Sequence, residues 1–390
     1  MSGTIKNIKR DFRLHYSVNY LIVLAMLLLG LVMLLTGNLQ SSFARLLAQI
    51  GFSVILAVSL NLVVGFLGEL SLGHAGFMCI GAYIGCFFGV HLKAAMPNKL
   101  LVLILSMIVG GLAAALFGFL IGLPSLRLKG DYLAIVTLGF GEIVRNVFKN
   151  QKIFGAAMGY DAGSLQYDTR KSPTLFIVAF LVAVIMLFLI QNLVRSKHGR
   201  AITAIRDNEI AAKAMGIGVT FYKLFAFVVS AFFAGVAGVL YGHMNRLIEQ
   251  KNFSYNYSIE ILVMVVLGGM GSVTGSIIAA ILITCVNFFL QSRLSGDLAA
   301  LRYLIYALVL IVIVIFGNAP ALKNFRDSLG KVFSFRKKAP DPAVQRDDEG
   351  AWNRIPTKIK MDALLTTDLN PNEVEARPED LADGGDKEGN

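Results

Sequence analysis

Ionisable side chains interrupt the long apolar stretches of this sequence, and five of them stand out: Glu69, His74, Glu142, Arg145 and Glu260. A charge at membrane depth is costly unless it is paired or in contact with water, so residues of this kind mark functional sites by default. In such positions they either face a polar substrate or satisfy one another. We therefore regard all five as candidates for lining a translocation path.

Most of these candidates also have a plainer structural interpretation. Glu142 and Arg145 lie three residues apart on one helix face and can form an internal ion pair. Glu69 lies in a glycine-rich stretch, where a water-lined path and a position at the cytoplasmic edge are equally compatible with the sequence. A lone histidine such as His74 is typically a hydrogen-bonded structural residue. Glu260 opens the apolar segment 258–290.

The polar segment 199–217 carries a different signal, that of a short amphipathic helix. Strong helix formers without Gly or Pro predict a helix over 200–215, and Gly216 and Gly218 end it. Its apolar residues fall near one face: Ile202, Ile205, Ala212 and Met215. Such a helix either docks on a cytoplasmic partner or lies on the membrane surface. Asp207 and Glu209 make it less cationic than lipid-binding helices usually are, which favours docking.

Glycines recur at four-residue spacing in the apolar runs. These glycines predict faces on which helix backbones approach closely in lipid: Gly81, Gly85, Gly89, Gly118, Gly122, Gly238, Gly242, Gly271 and Gly275. The pattern indicates a tightly packed membrane bundle, whether its interfaces move or are only structural, and it carries no information about substrate.

The elements that position these residues are membrane helices. The 390 residues are 56% hydrophobic and only 16% charged, with a mean hydropathy of +0.66. A soluble domain is usually about a quarter charged, so the composition excludes a soluble enzyme or a nucleic-acid-binding protein as the main body. Apolar runs of about 18 or more residues predict transmembrane helices. The expected fold is an all-α polytopic membrane protein with about eight to ten transmembrane helices.

The predicted spans include one or two that are broken. The apolar runs cover 19–36, 43–66, 75–92, 99–123, 131–148, 174–194, 221–243, 258–290 and 301–317. Glycines 268, 269 and 271 interrupt segment 258–290, and glycines also cluster over 65–76. Lys and Arg in the N-terminus, in loop 195–200 and in segment 323–338 should be cytoplasmic. That orientation requires 258–268 and 272–290 to form a hairpin.

The C-terminal tail differs in charge from the rest of the chain. We divide the chain into a cytoplasmic N-terminus (1–18), a transmembrane domain (19–317), a basic cytoplasmic segment (318–338) and an acidic tail (339–390) expected to be disordered. No P-loop motif occurs, so the chain has no ATP-binding loop of its own. The three cysteines lie within apolar runs without a CxxC pair, and no metal site is expected.

Four long blocks, in order, resemble the signatures of permeases of branched-chain amino-acid ABC transporters. The blocks are SLNLVVGFLGELSLGHAGFMCIGAYIG (59–85), LRLKGDYLAIVTLGFGEIVRNVF (126–148), segment 199–243 and VMVVLGGMGSVTGSIIAA (263–280). The second is similar to the signature of the LivM-type subunit. The resemblance covers about residues 40–317 and leaves the tail aside.

The resemblance implies a permease of the bacterial inner membrane with several partners. These are a homologous second permease, two cytoplasmic ATP-binding subunits and a periplasmic or lipid-anchored substrate-binding protein. No cofactor is expected in this chain, and ATP and Mg²⁺ belong to the partner subunits. The substrate would be leucine, isoleucine or valine, or a related small amino acid or amide.

The resemblance also implies that 199–217 is the coupling helix seated on the ATPase. Residues expected to contribute are Arg200, Arg206, Asp207, Glu209, Ala212 and Gly216. The E-A-A-x-x-x-G pattern of such importers is matched only loosely, by Glu209, Ala211, Ala212 and Gly216, with one residue inserted after the glutamate. Two alternatives remain at this stage. An ion-coupled secondary transporter would suit the broken segment, and a structural membrane subunit would not need the intramembrane charges.

Overall fold

The computed structural model describes residues 19–33, 41–96, 98–128, 130–167, 174–293, 308 and 311. Contacts divide the chain into two units, Met1–Asn318 and Ala319–Asn390, and every described residue belongs to the first. The predicted N-terminus, basic segment and acidic tail lie outside the described residues. So does the last predicted span, 301–317, apart from Leu308 and Ile311.

The described residues form eleven α-helices, two two-residue strands and a few short turns. The helices are α1 Asn19–Met33, α2 Ser41–Asn61, α3 His74–Ala95, α4 Lys99–Ser125, α5 Asp131–Asn150, α6 Thr174–Arg195, α7 Lys197–Asp207, α8 Glu209–Ala214, α9 Val219–Met244, α10 Tyr255–Gly268 and α11 Val273–Arg293. The strands are β1 Tyr160–Asp161 and β2 Leu247–Ile248.

Six of the described helices are long and apolar enough to cross a bilayer: α2 with the turn that follows it, α3, α4, α6, α9 and α11. Helices α1 and α10 are apolar but shorter. The all-α polytopic architecture is therefore confirmed. Helix α5, predicted as the fifth span, is 20 residues long but is not among the six, because it contains charged residues such as Glu142, Arg145 and Lys149.

Helices α3, α4 and α9 pack through glycines. A Cβ at Gly81 would strike the backbone of Gly235, and one at Gly238 would strike the carbonyl of Met78. Gly85 likewise faces Gly110, whose Cα would lie 3.3 Å from an added Cβ. These backbones are closer than any other residue would allow, as expected for helices that associate in lipid without a hydrophobic driving force.

The remaining predicted glycines divide into two groups. Four are packing positions: Gly89 faces Ser106, Gly118 faces Ala231, Gly122 faces Leu224 and Gly242 faces Cys86. Gly275 meets Gly268. Gly271, predicted to share a helix-packing face with Gly275, instead lies in the turn before α11 with a φ of +81°, because this turn requires a left-handed backbone that glycine adopts freely.

The predicted glycine-rich break at 65–76 is confirmed. Helix α2 continues as a π-helical turn over Leu62–Leu67 and ends at Gly68, whose φ is +80°. Residues 68–73 are not helical, and α3 begins at His74. π-turns are rare and are frequent at functional sites. We call residues 62–73 the first break.

The segment 258–290 forms the predicted hairpin. Helices α10 and α11 run antiparallel, because Gly268 meets Gly275 near the turn and Glu260 accepts a hydrogen bond from Asn287 farther along. We call the intervening turn, 269–272, the second break. Two helices in place of one also return the chain to the side from which it came, as the positive charges of the sequence required.

The opposite end of the bundle is covered by residues 150–167 and 245–253. Strands β1 and β2 pair antiparallel, and the hydroxyl of Tyr83 donates to the carbonyl oxygen of Ile248 at 2.9 Å. The ring of Tyr83 stacks on Phe148 with centroids 4.6 Å apart. Burial raises the pKa of Tyr167, in this cover, to about 12, so its phenol remains protonated at physiological pH.

Candidate functional site

A buried lysine joins the first break to the segment 199–217, which was predicted to dock on a partner and which we call the docking segment. Lys223 lies in the second turn of α9, and its side chain is only 3% exposed. Its Nζ is 2.5 Å from Oε1 of Glu69, in the first break, and 3.3 Å from Oε2 of Glu209, the first residue of α8. A buried charge is retained only when it is well paired. One ammonium thus connects three separate segments of the chain.

Arg206 makes a second connection between the docking segment and the first break. Its Nη1 donates to the carbonyl oxygen of Gly65 at 3.1 Å, within the π-helical turn. Its Nε and Nη2 both donate to Asp207, at 3.0 and 2.9 Å, which fixes the guanidinium. A Cβ at Gly68 would lie 2.6 Å from Cγ of Arg206. The arginine stem therefore lies directly against the first break.

Asn61 connects the first break to the second. Its Nδ2 donates to the carbonyl oxygen of Ser272 at 3.1 Å, and its Oδ1 accepts from the backbone N–H of Gly271 at 2.9 Å. A Cβ at Gly65 would collide with the backbone of Gly271. The two breaks are therefore in direct contact, and Arg206 lies beside both.

These three hydrogen-bonded groups lie together at one end of the bundle. We call them together the coupling junction, which consists of Asn61, Gly65, Glu69, Arg206, Glu209, Lys223, Gly271 and Ser272. The docking segment contacts the first break through Arg206, and the first break contacts the second at Gly65 and Gly271.

The docking segment is not the single helix that was predicted over 200–215. Asn208 has extended dihedrals (φ −158°, ψ 104°), and its Oδ1 accepts from the N–H of Ala211 at 3.0 Å. It ends α7 and caps α8, a role that asparagine fills well. Ser196 caps α7 in the same way, by accepting from the N–H groups of His198 and Gly199. The prediction failed because propensity identified helix formers without weighing the cap.

The interruption at Asn208 changes which side chains face outward. Ile202, Ile205 and Ala212 are buried as predicted, but Met215 is 83% exposed because α8 restarts with a new rotation. Ile210 on α8 is 79% exposed. Gly216 has a φ of +79°, which confirms the predicted left-handed end of the segment. An apolar pair thus projects from α8.

The other predicted coupling residues lie along the same segment. Arg200 donates to the carbonyl oxygen of Arg195 at 3.4 Å and is otherwise at the surface. Asp207 is exposed and paired with Arg206. Ala212 is buried beneath α8. Of the predicted set, Arg206 contacts the first break directly, and Glu209 is connected to it through Lys223.

The five predicted path residues do not form one site. Glu69 lies at the junction, at the same end of the bundle as the docking segment. His74 is buried, with its Nε2 3.0 Å from Oγ of Ser59, which is the arrangement of a structural histidine. Glu142 and Arg145 form the expected ion pair at 2.5 Å. Glu260 holds α10 to α11 through Asn287.

Lys223 and Asn61 were missed at the sequence level. Lys223 is a lone cation inside the apolar run 221–243, and Asn61 is a lone amide before the glycine-rich stretch. The argument that selected Glu69, that a charge within an apolar run is costly unless paired, applies equally to Lys223. In the described part of the chain, no group of three or more His, Cys, Asp or Glu side chains is arranged to hold a metal ion.

Comparison with known proteins supplies the family. Residues 42–314 match the model of the family described as "Branched-chain amino acid transport system / permease component". The LivM permease proteins of the high-affinity branched-chain amino acid transport systems of Salmonella typhimurium (strain LT2) and Escherichia coli (strain K12) are each 38% identical over 262 residues. That match spans 59% of this chain and 59% of each relative.

A second type of permease protein from the same systems is also similar. The LivH protein of Salmonella typhimurium (strain LT2) is 22% identical over 287 residues, which is 68% of this chain and 91% of that protein. With the six apolar helices, these matches indicate a multi-pass protein of the bacterial inner membrane. The matched family model spans most of the chain and contains every residue of the coupling junction, so this protein belongs to the family of permease components of branched-chain amino acid transport systems.

Proposed function

We propose that this chain is the permease subunit of an ATP-driven importer for branched-chain amino acids or a related small amino acid or amide. The single observation that carries the proposal is the coupling junction, in which Arg206 of the docking segment is hydrogen-bonded to the first break and Asn61 is hydrogen-bonded to the second. A permease without an ATP-binding loop needs such a connection, because the work must enter from another subunit.

The proposal includes the partners that a subunit of this kind requires. They are a homologous second permease, two cytoplasmic ATP-binding subunits that hold ATP and Mg²⁺, and a periplasmic or lipid-anchored binding protein. The LivH similarity supports the second permease, since related chains of two types occur in the same named systems. Hydrolysis takes place in the ATP-binding subunits, and this chain is not itself an enzyme.

In the proposed mechanism α8 is the contact surface for the ATP-binding subunit. Ile210 and Met215 project from α8 and are 79% and 83% exposed. Exposed apolar side chains on a polar segment of this kind are typical of a binding surface. When the ATP-binding subunits close, α8 moves, and Glu209 and Arg206 transmit that movement to Lys223 and to the first break.

The ion-coupled alternative has lost its support. It rested on the broken segment, and the family match favours the ATP-driven reading instead. The test is reconstitution of this chain with its partners in proteoliposomes, followed by uptake of labelled leucine. Uptake should require internal ATP and persist when ion gradients are dissipated. Uptake that follows an ion gradient without ATP would overturn the proposal.

A paired substitution tests the docking surface separately. Ile210→Asp should abolish retention of the ATP-binding subunit in pull-down while the chain still inserts and folds. Lys213→Asp, one turn further along the same short helix, is the matched control for introducing a carboxylate, because Lys213 is also exposed but polar. Equal retention by both variants would mean that α8 is not the contact surface.

A further inference from the structure

Helix α5 has an exposed face unlike that of the other long helices. Its packed face meets α3, where Phe77 and Phe140 rings lie 5.2 Å apart and Tyr83 stacks on Phe148. The opposite face exposes apolar residues by 40–72%: Tyr132, Ile135, Val136, Ile143 and Val147. Asn146 is exposed on the same face, and Glu142 and Arg145 are 24% and 30% exposed there.

The polar groups on this face argue against contact with lipid. The corresponding exposed faces of α4, from Leu101 to Leu123, and of α6, from Leu181 to Leu189, contain only apolar side chains. Helix α5 carries too many charges to count among the six spans, but its 20 residues make it about 30 Å long, and Glu142 lies eight residues, about 12 Å, from its end. Charged groups on a helix of a membrane bundle face the bundle interior or a water-filled cavity.

Hydrogen bonds hold the ion pair in place, but not all of its hydrogen-bond donors have an acceptor. Glu142 Oε2 accepts from Nε of Arg145 at 2.8 Å, and Oε1 accepts from the N–H of Tyr255 at 3.1 Å. Among the described residues, Arg145 directs Nε and Nη2 to Glu142, which leaves the N–H groups of Nη1 for another acceptor. Gly139, one turn before Glu142, has nothing within 4 Å of an added Cβ.

We propose that this face of α5 lines the translocation path, and that Glu142 and Arg145 bind the two charged groups of a zwitterionic amino acid. The ammonium group lies against the Glu142 carboxylate and the substrate carboxylate against the Arg145 guanidinium. The apolar side chain of the substrate packs on Ile143 and Ile135. The charge complementarity is complete, since a zwitterion and an ion pair each carry one charge of either sign. This inference rests on the proposed importer function, in which the second permease closes the path.

The first test measures access of water to α5. Single cysteines are placed at Ile143 and Ile135 in the full reconstituted complex, with Cys285 replaced by alanine because it is the partly exposed native cysteine. Matched controls are Leu181→Cys on α6 and Leu112→Cys on α4, which are 53% and 58% exposed. A membrane-impermeant cationic thiosulfonate should label the α5 sites roughly tenfold faster or more, because the reactive thiolate forms only in contact with water. Equal rates at all four sites would overturn the path.

The second test asks whether the ion pair recognises both charged groups of the zwitterionic substrate. Leucine, leucinamide (without the carboxylate) and 4-methylvalerate (without the amine) are titrated against the complex without its binding protein. Wild type should prefer leucine, and Arg145→Gln should weaken leucine binding roughly tenfold or more, as for a lost charged hydrogen bond, and lose the preference over leucinamide. Glu142→Gln should lose the preference over 4-methylvalerate. Arg145→Lys should retain part of the preference, which separates loss of charge from misfolding.

The outcomes separate this site from the proposed function. Asp161→Asn, which removes an exposed ion pair with Arg246 in the segments 150–167 and 245–253, should leave all preferences unchanged. If ATP-driven uptake persists while both glutamine variants discriminate as wild type does, the pair is only structural and the site is wrong. If uptake needs no ATP but α5 is labelled and discrimination is lost as expected, the path stands and the importer proposal fails.

Discussion

Removal of the Lys223 ammonium is the most direct perturbation of the coupling junction. Lys223→Met keeps the length and apolar stem of the side chain but leaves the Glu69 carboxylate unpaired at a side-chain exposure of 11%. Removing one partner of a buried pair costs about 3–5 kcal/mol, because the remaining charge loses both water and its counter-ion. We expect a loss of stability near the lower end of that range, since the carboxylate keeps some contact with solvent.

The two carboxylates should contribute unequally. The Glu209 side chain is 33% exposed, so its interaction with Lys223 is screened, and Glu209→Gln should cost only about 0–1 kcal/mol. Glu69→Gln should fall between, because Lys223 would still face Glu209. The double variant Lys223→Met with Glu69→Gln should be more stable than Lys223→Met alone, since it buries no unpaired charge.

The assay combines stability with coupling. Thermal unfolding of the purified complex in detergent gives the order of stability, and substrate-stimulated ATP hydrolysis gives the coupling. Lys223→Met should retain basal hydrolysis and lose stimulation and uptake, because α8 still docks but Glu209 is no longer bridged to Glu69 in the first break. The reasoning is refuted if Glu209→Gln is as destabilising as Lys223→Met, or if the double variant is no better than the single one.

Three further outcomes follow from the geometry. Gly216→Val should cost roughly 1–2 kcal/mol locally through its φ of +79° and break ATPase coupling without loss of insertion, whereas Gly216→Asn should be tolerated; wild-type coupling in the valine variant would move the coupling role to another cytoplasmic segment, such as 124–130. Gly81→Ala should lower the unfolding temperature because its Cβ meets the Gly235 backbone, while Gly141→Ala, with its nearest contact at 3.7 Å, is the control and should not. Truncation after residue 338 should leave uptake unchanged at equal membrane levels, since the acidic tail has the composition of a solvated segment; loss of uptake would indicate that the tail binds a partner.

The membrane architecture was predictable because its signals are local. Long apolar runs marked the spans, and a run of glycines marked each break. The hairpin of α10 and α11 was predicted from the number of membrane crossings, because the basic residues after the last span had to lie in the cytoplasm. Two helices in this segment met that requirement and a single span did not. The contact of Gly268 with Gly275 shows how closely the two helices pack.

The coupling junction was not predictable, because its partners are distant in sequence. Lys223 and Glu69 are 154 residues apart, and Asn61 and Gly271 are 210 apart. No periodicity within one segment identifies such pairs. The incorrect prediction for Met215 has a more local cause, since the side chain of Asn208 caps a new helix and so changes the rotation of α8. Helix propensity alone does not show that an asparagine within a run of helix formers can end one helix and begin another.

The contacts place the docking segment and the proposed path on one continuous route. Arg206 holds the first break, and Asn61 joins that break to the turn of the α10–α11 hairpin. At its other end α10 begins at Tyr255, whose N–H is bound by Glu142 on α5. By contrast, α3, α4 and α9 are fixed by backbone contacts at their glycines, which a small shift would lose. The mobile elements in the proposed cycle are therefore the two breaks and the hairpin, and the substrate pair on α5 lies where that route ends.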